Sequence, residues 1–331
     1  MRERDTSAGS SHERHGRAVS ALFAALLLAA VSGCGGTSGP ATDKPAGTPS
    51  ATPSQATPEP STPTPAPPRP TPTSDPATWP LAWSDEFDGP AGAPPDPGTW
   101  GFDLGDGSAF GLIGWGTNER QTYTDSPDNV ALDGQGNLVL TVRRADGSST
   151  CYYGPCEYTS ARLLTKDRRE FEYGRIEVRF KVPAGFGLWP AIWLLGTNID
   201  EVSWPQSGEI DVMEFVGRRP NEILGTIHGP GYSGSSGPSQ TLDLGVPVPD
   251  DFHTAAIEWW PGHIAWFLDG VKYNETGPAD VAPNEWVFDH PFYLLLNVAV
   301  GGNLGGPVSS ELELPASMIV DYVRLYREEG L

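Results

Sequence analysis

From residue 79 onward, short runs of alternating apolar and polar residues are interrupted by glycine and proline roughly every eight to twelve residues, the punctuation of an all-β sandwich. In residues 175–182, Ile176, Val178, Phe180 and Val182 take every second position against Arg175, Glu177, Arg179 and Lys181, as a half-buried strand requires. Residues 137–142 predict another strand. Residues 254–260 turn at Pro261-Gly262 into 263–268, which turn at Asp269-Gly270 into 271–273, so antiparallel neighbours are expected. The last run, 319–326, puts Ile319, Asp321, Val323 and Leu325 on one face. Asp321 would then stand in an apolar row and need a partner. No long amphipathic pattern predicts a helix.

All eleven Trp lie between Trp79 and Trp286, so the first 78 residues add almost nothing to a packed core. Arg14, His15 and Arg17 precede an apolar run from Ala18 to Val31, too short for a permanent span but suited to a signal peptide. Val31-Ser32-Gly33-Cys34 resembles the bacterial lipoprotein cleavage box, which makes residues 1–33 a signal peptide and Cys34 a lipidated first residue. Thirteen prolines among Thr, Ser and Ala between residues 35 and 78 favour extended polyproline II over folding. Residues 34–78 are thus a spacer, and 79–331 a single domain. An exported protein, anchored at the cell surface or released, is expected to touch membrane only through that lipid. Cys151 and Cys156 are then the pair left to form a disulfide closing one short loop. The formal charge of -21 argues against nucleic acid or anionic lipid as partner and leaves a neutral ligand.

The segment Gly208-Glu209-Ile210-Asp211-Val212-Met213-Glu214-Phe215 carries three acids among strand-forming residues. Glu209 and Asp211 share a face, but Glu214, five residues from Glu209, falls on the opposite one under strict alternation. A β-bulge at Val212 or Met213 would return it to the face of the other two. Crowded carboxyls raise at least one pKa, which a general acid needs. Two carboxyls about 5–5.5 Å apart serve retaining glycosidases, whereas inverting enzymes need about 6.5–9.5 Å, so clustering on one strand favours retention.

Trp189-Pro190-Ala191-Ile192-Trp193-Leu194 followed by this acidic segment resembles glycoside hydrolase family 16, in the laminarinase-like branch with the bulged E-x-D-x-x-E form. Trp83-Ser84-Asp85-Glu86-Phe87, residues 114–119, 158–162 and 297–303 resemble it in the expected order. The resemblance implies a jelly-roll sandwich of two curved antiparallel sheets with a concave cleft for a β-linked polysaccharide. It implies Glu209 as nucleophile, Glu214 as acid/base and Asp211 as the neighbour that tunes the nucleophile. Trp115, Asn118, Arg162, Trp189, Trp193, His228, Asn297 and Asn303 would bind substrate, with Glu119 weighed behind Trp115 and Asn118. Core packing is an equal alternative for Trp193, and turn chemistry a strong one for Asn303. Glu86 and Asp321 resemble a pair that holds a structural Ca²⁺, and catalysis itself would need no cofactor. The expected activity is an endo-acting β-1,3-glucanase working as a monomer. Mixed-linkage glucan, galactan or agar specificity, transglycosylation, or a glycan-binding module without catalysis use the same fold.

Overall fold

The computed structural model describes residue 72 and residues 74–331. The predicted signal peptide, Cys34 and most of the spacer lie outside the described residues. Packing begins before the expected boundary at residue 79. Asp75 caps a short turn, Pro76–Thr78, by accepting from Ala77 N at 3.0 Å, and Ser74 Oγ donates to Glu328 Oε1 at 2.7 Å.

The domain is a jelly-roll sandwich of a ten-stranded and a seven-stranded sheet, with a two-stranded hairpin beside them. The predicted strands are present as Gly174–Lys181, Leu138–Arg144, His253–Trp260, His263–Leu268, Val271–Thr276 and Ala316–Tyr326, all in the ten-stranded sheet. One pairing departs from the antiparallel expectation, since Gln121–Tyr123 runs parallel to Tyr158–Ser160. A second departure concerns the last strand. Arg179 pairs with Tyr322 but Phe180 with Val320, so Asp321 is the extra residue of a bulge. Met318, Val320, Val323 and Leu325 turn inward as a result, and Asp321 leaves the apolar row for an ion pair with Arg179.

Between the sheets lies one apolar core, with Ile176, Val178 and Phe180 from one side facing Ile192, Leu194, Leu294 and Leu296 from the other. The seven-stranded sheet runs in the order Ser239–Asp243, Glu222–His228, Glu209–Phe215, Leu188–Gly196, Phe292–Val300, Arg162–Leu164, Gly101–Phe102. The acidic strand is therefore interior, hydrogen-bonded on both edges. Every residue of Phe292–Val300 is buried, because one face meets the core while on the other Tyr293 and Leu295 join a small apolar cluster and Asn297 and Ala299 line a cleft.

The predicted bulge is present. Trp193 pairs with Asp211 and Ile192 with Met213, leaving Val212 as the extra residue, and across the other edge Val212 and Met213 together oppose Gly225. Both side chains are fully buried, so the extra residue is absorbed on the core side. The Asp211 carbonyl points to the facing sheet, where Trp266 Nε1 donates to it at 2.8 Å. That approach requires glycine at 225. A Cβ there would stand 2.6 Å from Trp266 Cδ1 and 2.6 Å from Tyr273 Oη. Gly225→Ala is expected to destabilise the domain by about 1–3 kcal/mol through overpacking. Urea unfolding checks this, and an unchanged midpoint would show that the contact can relax.

Candidate active site

The bulge sends Glu209, Asp211 and Glu214 to the outer face of the seven-stranded sheet, and neighbouring strands bring their partners by register. Glu209 lies opposite His228, Asp211 opposite Trp193, Glu214 opposite Ala191, and Asn297 opposite both Ala191 and Arg162. These residues line a cavity of about 760 Å³ together with Trp115, Glu119, Trp189, Trp204 and Asn303.

Three indoles tie the polar groups down. Trp189 Nε1 donates to Glu214 Oε1 at 2.9 Å, Trp204 Nε1 to Glu209 Oε2 at 2.8 Å, and Trp193 Nε1 to Asn297 Oδ1 at 2.8 Å. Trp189 and Trp193 thus both line the cleft, and Trp193 also packs against a small apolar cluster of Leu164, Leu195, Tyr293 and Leu295. His228 Nε2 lies 3.2 Å from Asp211 Oδ2 and 3.8 Å from Glu209 Oε1.

The Arg162 guanidinium stacks on Trp115 and Trp193, 4.5 and 4.7 Å from the ring centroids, and pairs with Asp103 at 3.0 Å. Such stacking suits the planar, weakly hydrated guanidinium. Trp115 sits at φ 54°, a left-handed conformation costly for a bulky residue, and its Nε1 donates to the Gly105 carbonyl at 3.2 Å. The hairpin closed by the Cys151–Cys156 disulfide braces this loop, with Tyr152 N donating to Asp106 Oδ2 at 2.6 Å.

Two sets of expected residues stand in contacts that the sequence did not indicate. Glu119, not Asn118, lines the cavity: it is buried and receives hydrogen bonds from Thr117, Gln121 and Tyr123. Asn118 is exposed and donates to Asn303 Oδ1 at 2.8 Å, bracing the rim from outside. The second is the calcium pair. Arg324 grips Glu86 with two hydrogen bonds of 2.9 and 2.8 Å and holds its carboxyl below the usual range, while Arg179 pairs with Asp321. A cation bridging these carboxylates would have to displace two guanidinium groups, so the two side chains do not fit the ion.

Residues 117–322 match glycosyl hydrolases family 16. A β-glucanase of Rhodothermus marinus is 41% identical over 259 residues, covering 75% of this chain and 85% of that one. The chain belongs to family 16. Solved relatives share its fold: the laminarinase catalytic domain of Thermotoga maritima MSB8 has a TM-score of 0.71 at 44% identity, over 76% of this chain and 98% of that one. The endo-β-1,3-glucanase of Pyrococcus furiosus also gives 0.71 at 44% identity, over 75% and 94%.

Against this family 16 frame, the residues that sequence reasoning missed are Trp204, Trp266 and the Gln121–Tyr123 support of Glu119. Trp204 lies five residues before Glu209, and an indole so close to a key carboxylate was a usable signal. Trp266 lies 55 positions from Asp211 in the facing sheet, with no local sign of the contact.

Burial dominates the electrostatics of this family 16 cleft. It pushes Glu209 up to about 8, with repulsion from Asp211 adding to it and His228, the Trp204 N–H and Arg162 opposing. Asp211 rises to about 7 by burial, countered by a hydrogen bond with Glu209. Glu214 is raised by burial and by two acidic neighbours, against His228 and the Trp189 N–H. The three carboxyls therefore titrate as a group that still holds protons near neutrality. His228 and one indole N–H favour the charge of each glutamate, but Glu214 faces the repulsion of both Asp211 and Glu209, which leaves it as the group that keeps a proton.

Between about 4.5 and about 8 the folded protein keeps the Glu209 proton that an unfolded chain has released, so stability falls as pH rises through that window. Glu209→Gln has no such proton to keep. Its thermal midpoint is expected to gain on the wild type progressively across the window, and a difference that stays flat with pH would contradict the shift.

Proposed function

We propose that this chain is a retaining endo-β-1,3-glucanase in which Glu209 is the nucleophile and Glu214 the acid/base. The observation that carries the reading is the bulge at Val212, which puts two carboxyls five residues apart on one face of an interior strand, inside a cleft walled by indoles. The relatives reported above support the substrate class, a neutral β-glucan.

In the first step Glu209 attacks the anomeric carbon while Glu214 donates its proton to the departing glycosidic oxygen, giving a glycosyl ester on Glu209. Glu214, now ionised, takes a proton from water, which attacks the same carbon and frees Glu209 with net retention. The Trp189 N–H on Glu214 and the Trp204 N–H on Glu209 hold the two carboxyls in the cleft wall. Asp211 shares its hydrogen bond with Glu209 and so steadies the charge that the nucleophile regains. Trp115, Trp189 and Trp193 offer flat apolar faces to sugar rings, and Arg162, Asn297 and Asn303 offer hydrogen bonds to hydroxyls.

Reducing-sugar release from laminarin by the full chain is expected to exceed release from mixed-linkage glucan, agarose and galactan, with short oligosaccharides as products. Equal or greater release from another glycan would move the specificity. Glu209→Gln should abolish turnover. Glu214→Ala should lose about 10²–10⁴-fold on laminarin, keep activity on aryl glycosides with good leaving groups and regain rate with azide. Full activity in either variant would remove the assignment.

The localisation rests on the sequence. An export signal, a Cys34 acceptor and a Pro/Thr spacer together support a lipid-anchored enzyme held clear of the cell surface. Cys34→Ala should release activity from the membrane fraction, and an unchanged distribution would count against the anchor.

A further inference from the structure

Glu209, Asp211 and His228 offer donor atoms that all lie within 4.8 Å of one another. His228 Nε2 stands 3.2 Å from Asp211 Oδ2 and 3.8 Å from Glu209 Oε1. Zinc takes nitrogen and oxygen ligands at about 2.0–2.2 Å in a tetrahedron, which spaces the donors about 3.3–3.6 Å apart. The two observed edges bracket that span.

Three features favour a ligand here over a closed ion pair. Asp211 is only 3% exposed, and its Oδ2 faces His228 Nε2 at 3.2 Å with no other polar partner among the described residues. Trp204 Nε1 engages Oε2 of Glu209, which leaves Oε1 turned toward His228, the orienting role that outer partners play for metal ligands. The Glu209 and His228 side chains remain 17% and 12% exposed on the cavity wall, so an ion has a way in. One imidazole and two carboxylates suit a borderline transition-metal ion. Calcium and magnesium prefer all-oxygen shells of six or more ligands, which an imidazole and two carboxylates do not supply.

We propose that Glu209, Asp211 and His228 form an inhibitory binding site for a divalent transition-metal ion, of which Zn²⁺ is the probe. The ion occupies the lone pairs of the carboxylate assigned as nucleophile, so metal and glycan exclude one another. That consequence rests on the glucanase reading, while the binding itself does not.

The test is calorimetric titration of Zn²⁺ into the untagged full chain, run beside laminarin hydrolysis at fixed pH. The wild type is expected to take up one more Zn²⁺ than His228→Ala and than Glu209→Ala, each verified as folded by its thermal transition. His263→Ala serves as control. His263 faces Glu275 on the other sheet, and its loss should leave this uptake intact. Zn²⁺ should raise the apparent KM for laminarin without lowering kcat, and Ca²⁺ should do neither. Equal uptake by the wild type and both cleft variants, or loss of the ion in His263→Ala, would overturn the site. Differential uptake by a chain that hydrolyses no glycan would keep the site and remove the glucanase reading. Hydrolysis without differential uptake would do the reverse.

Discussion

The site depends on one hydrogen bond between the two sheets: the Trp266 indole N–H on the Asp211 carbonyl at 2.8 Å. A bulge in an interior strand exposes a main-chain carbonyl to the core, where an unmet acceptor costs about 1–3 kcal/mol. Trp266 meets it, and Gly225 leaves room for the indole. With the carbonyl satisfied, Val212 can remain the extra residue and Glu214 can face the same way as Glu209. Removing the bulge would reverse every side chain beyond it, sending Glu214 into a core of Ile192, Leu194 and Phe292.

From that constraint the cleft follows as a balance of burial against donors. Three carboxyls in one wall repel each other and resist ionisation, and the share of that repulsion each one bears decides which of them gives way. Asp211 repels the charge on Glu209, whereas Asp211 and Glu209 both repel it on Glu214, so one strand supplies both an ionisable group and a proton-holding one. Further along the cleft Arg162 lies between two indoles, and Glu119 is held by three hydrogen bonds. The polar wall is therefore fixed in place before any sugar enters, which lowers the cost of ordering on binding.

Alternation made the half-buried strands legible, and Gly174–Lys181 follows the expected pattern residue for residue. The spacing of Glu209 and Glu214 required an extra residue because both had to line something. The same reasoning failed at Asp321, where a bulge also occurs but no pair of acids pointed to it. Left-handed backbone through Trp115 and Asn118 turns Glu119 into the cavity wall and Asn118 out of it, in a way that side-chain polarity does not encode. Contacts between sheets, such as Trp266 on Asp211 or Asn297 on Tyr123, join residues too far apart for any local pattern to reveal.

The central claim is that the bulge puts Glu209 and Glu214 on one face of the strand to work together in a double displacement. The most direct measurement is the anomeric configuration of the product first released from laminarin by the full chain, followed by proton NMR before mutarotation. Signal appearing first as the β-anomer is the result this account predicts. Signal appearing first as the α-anomer would contradict it, because a single inverting displacement would then leave Glu209 no role as nucleophile.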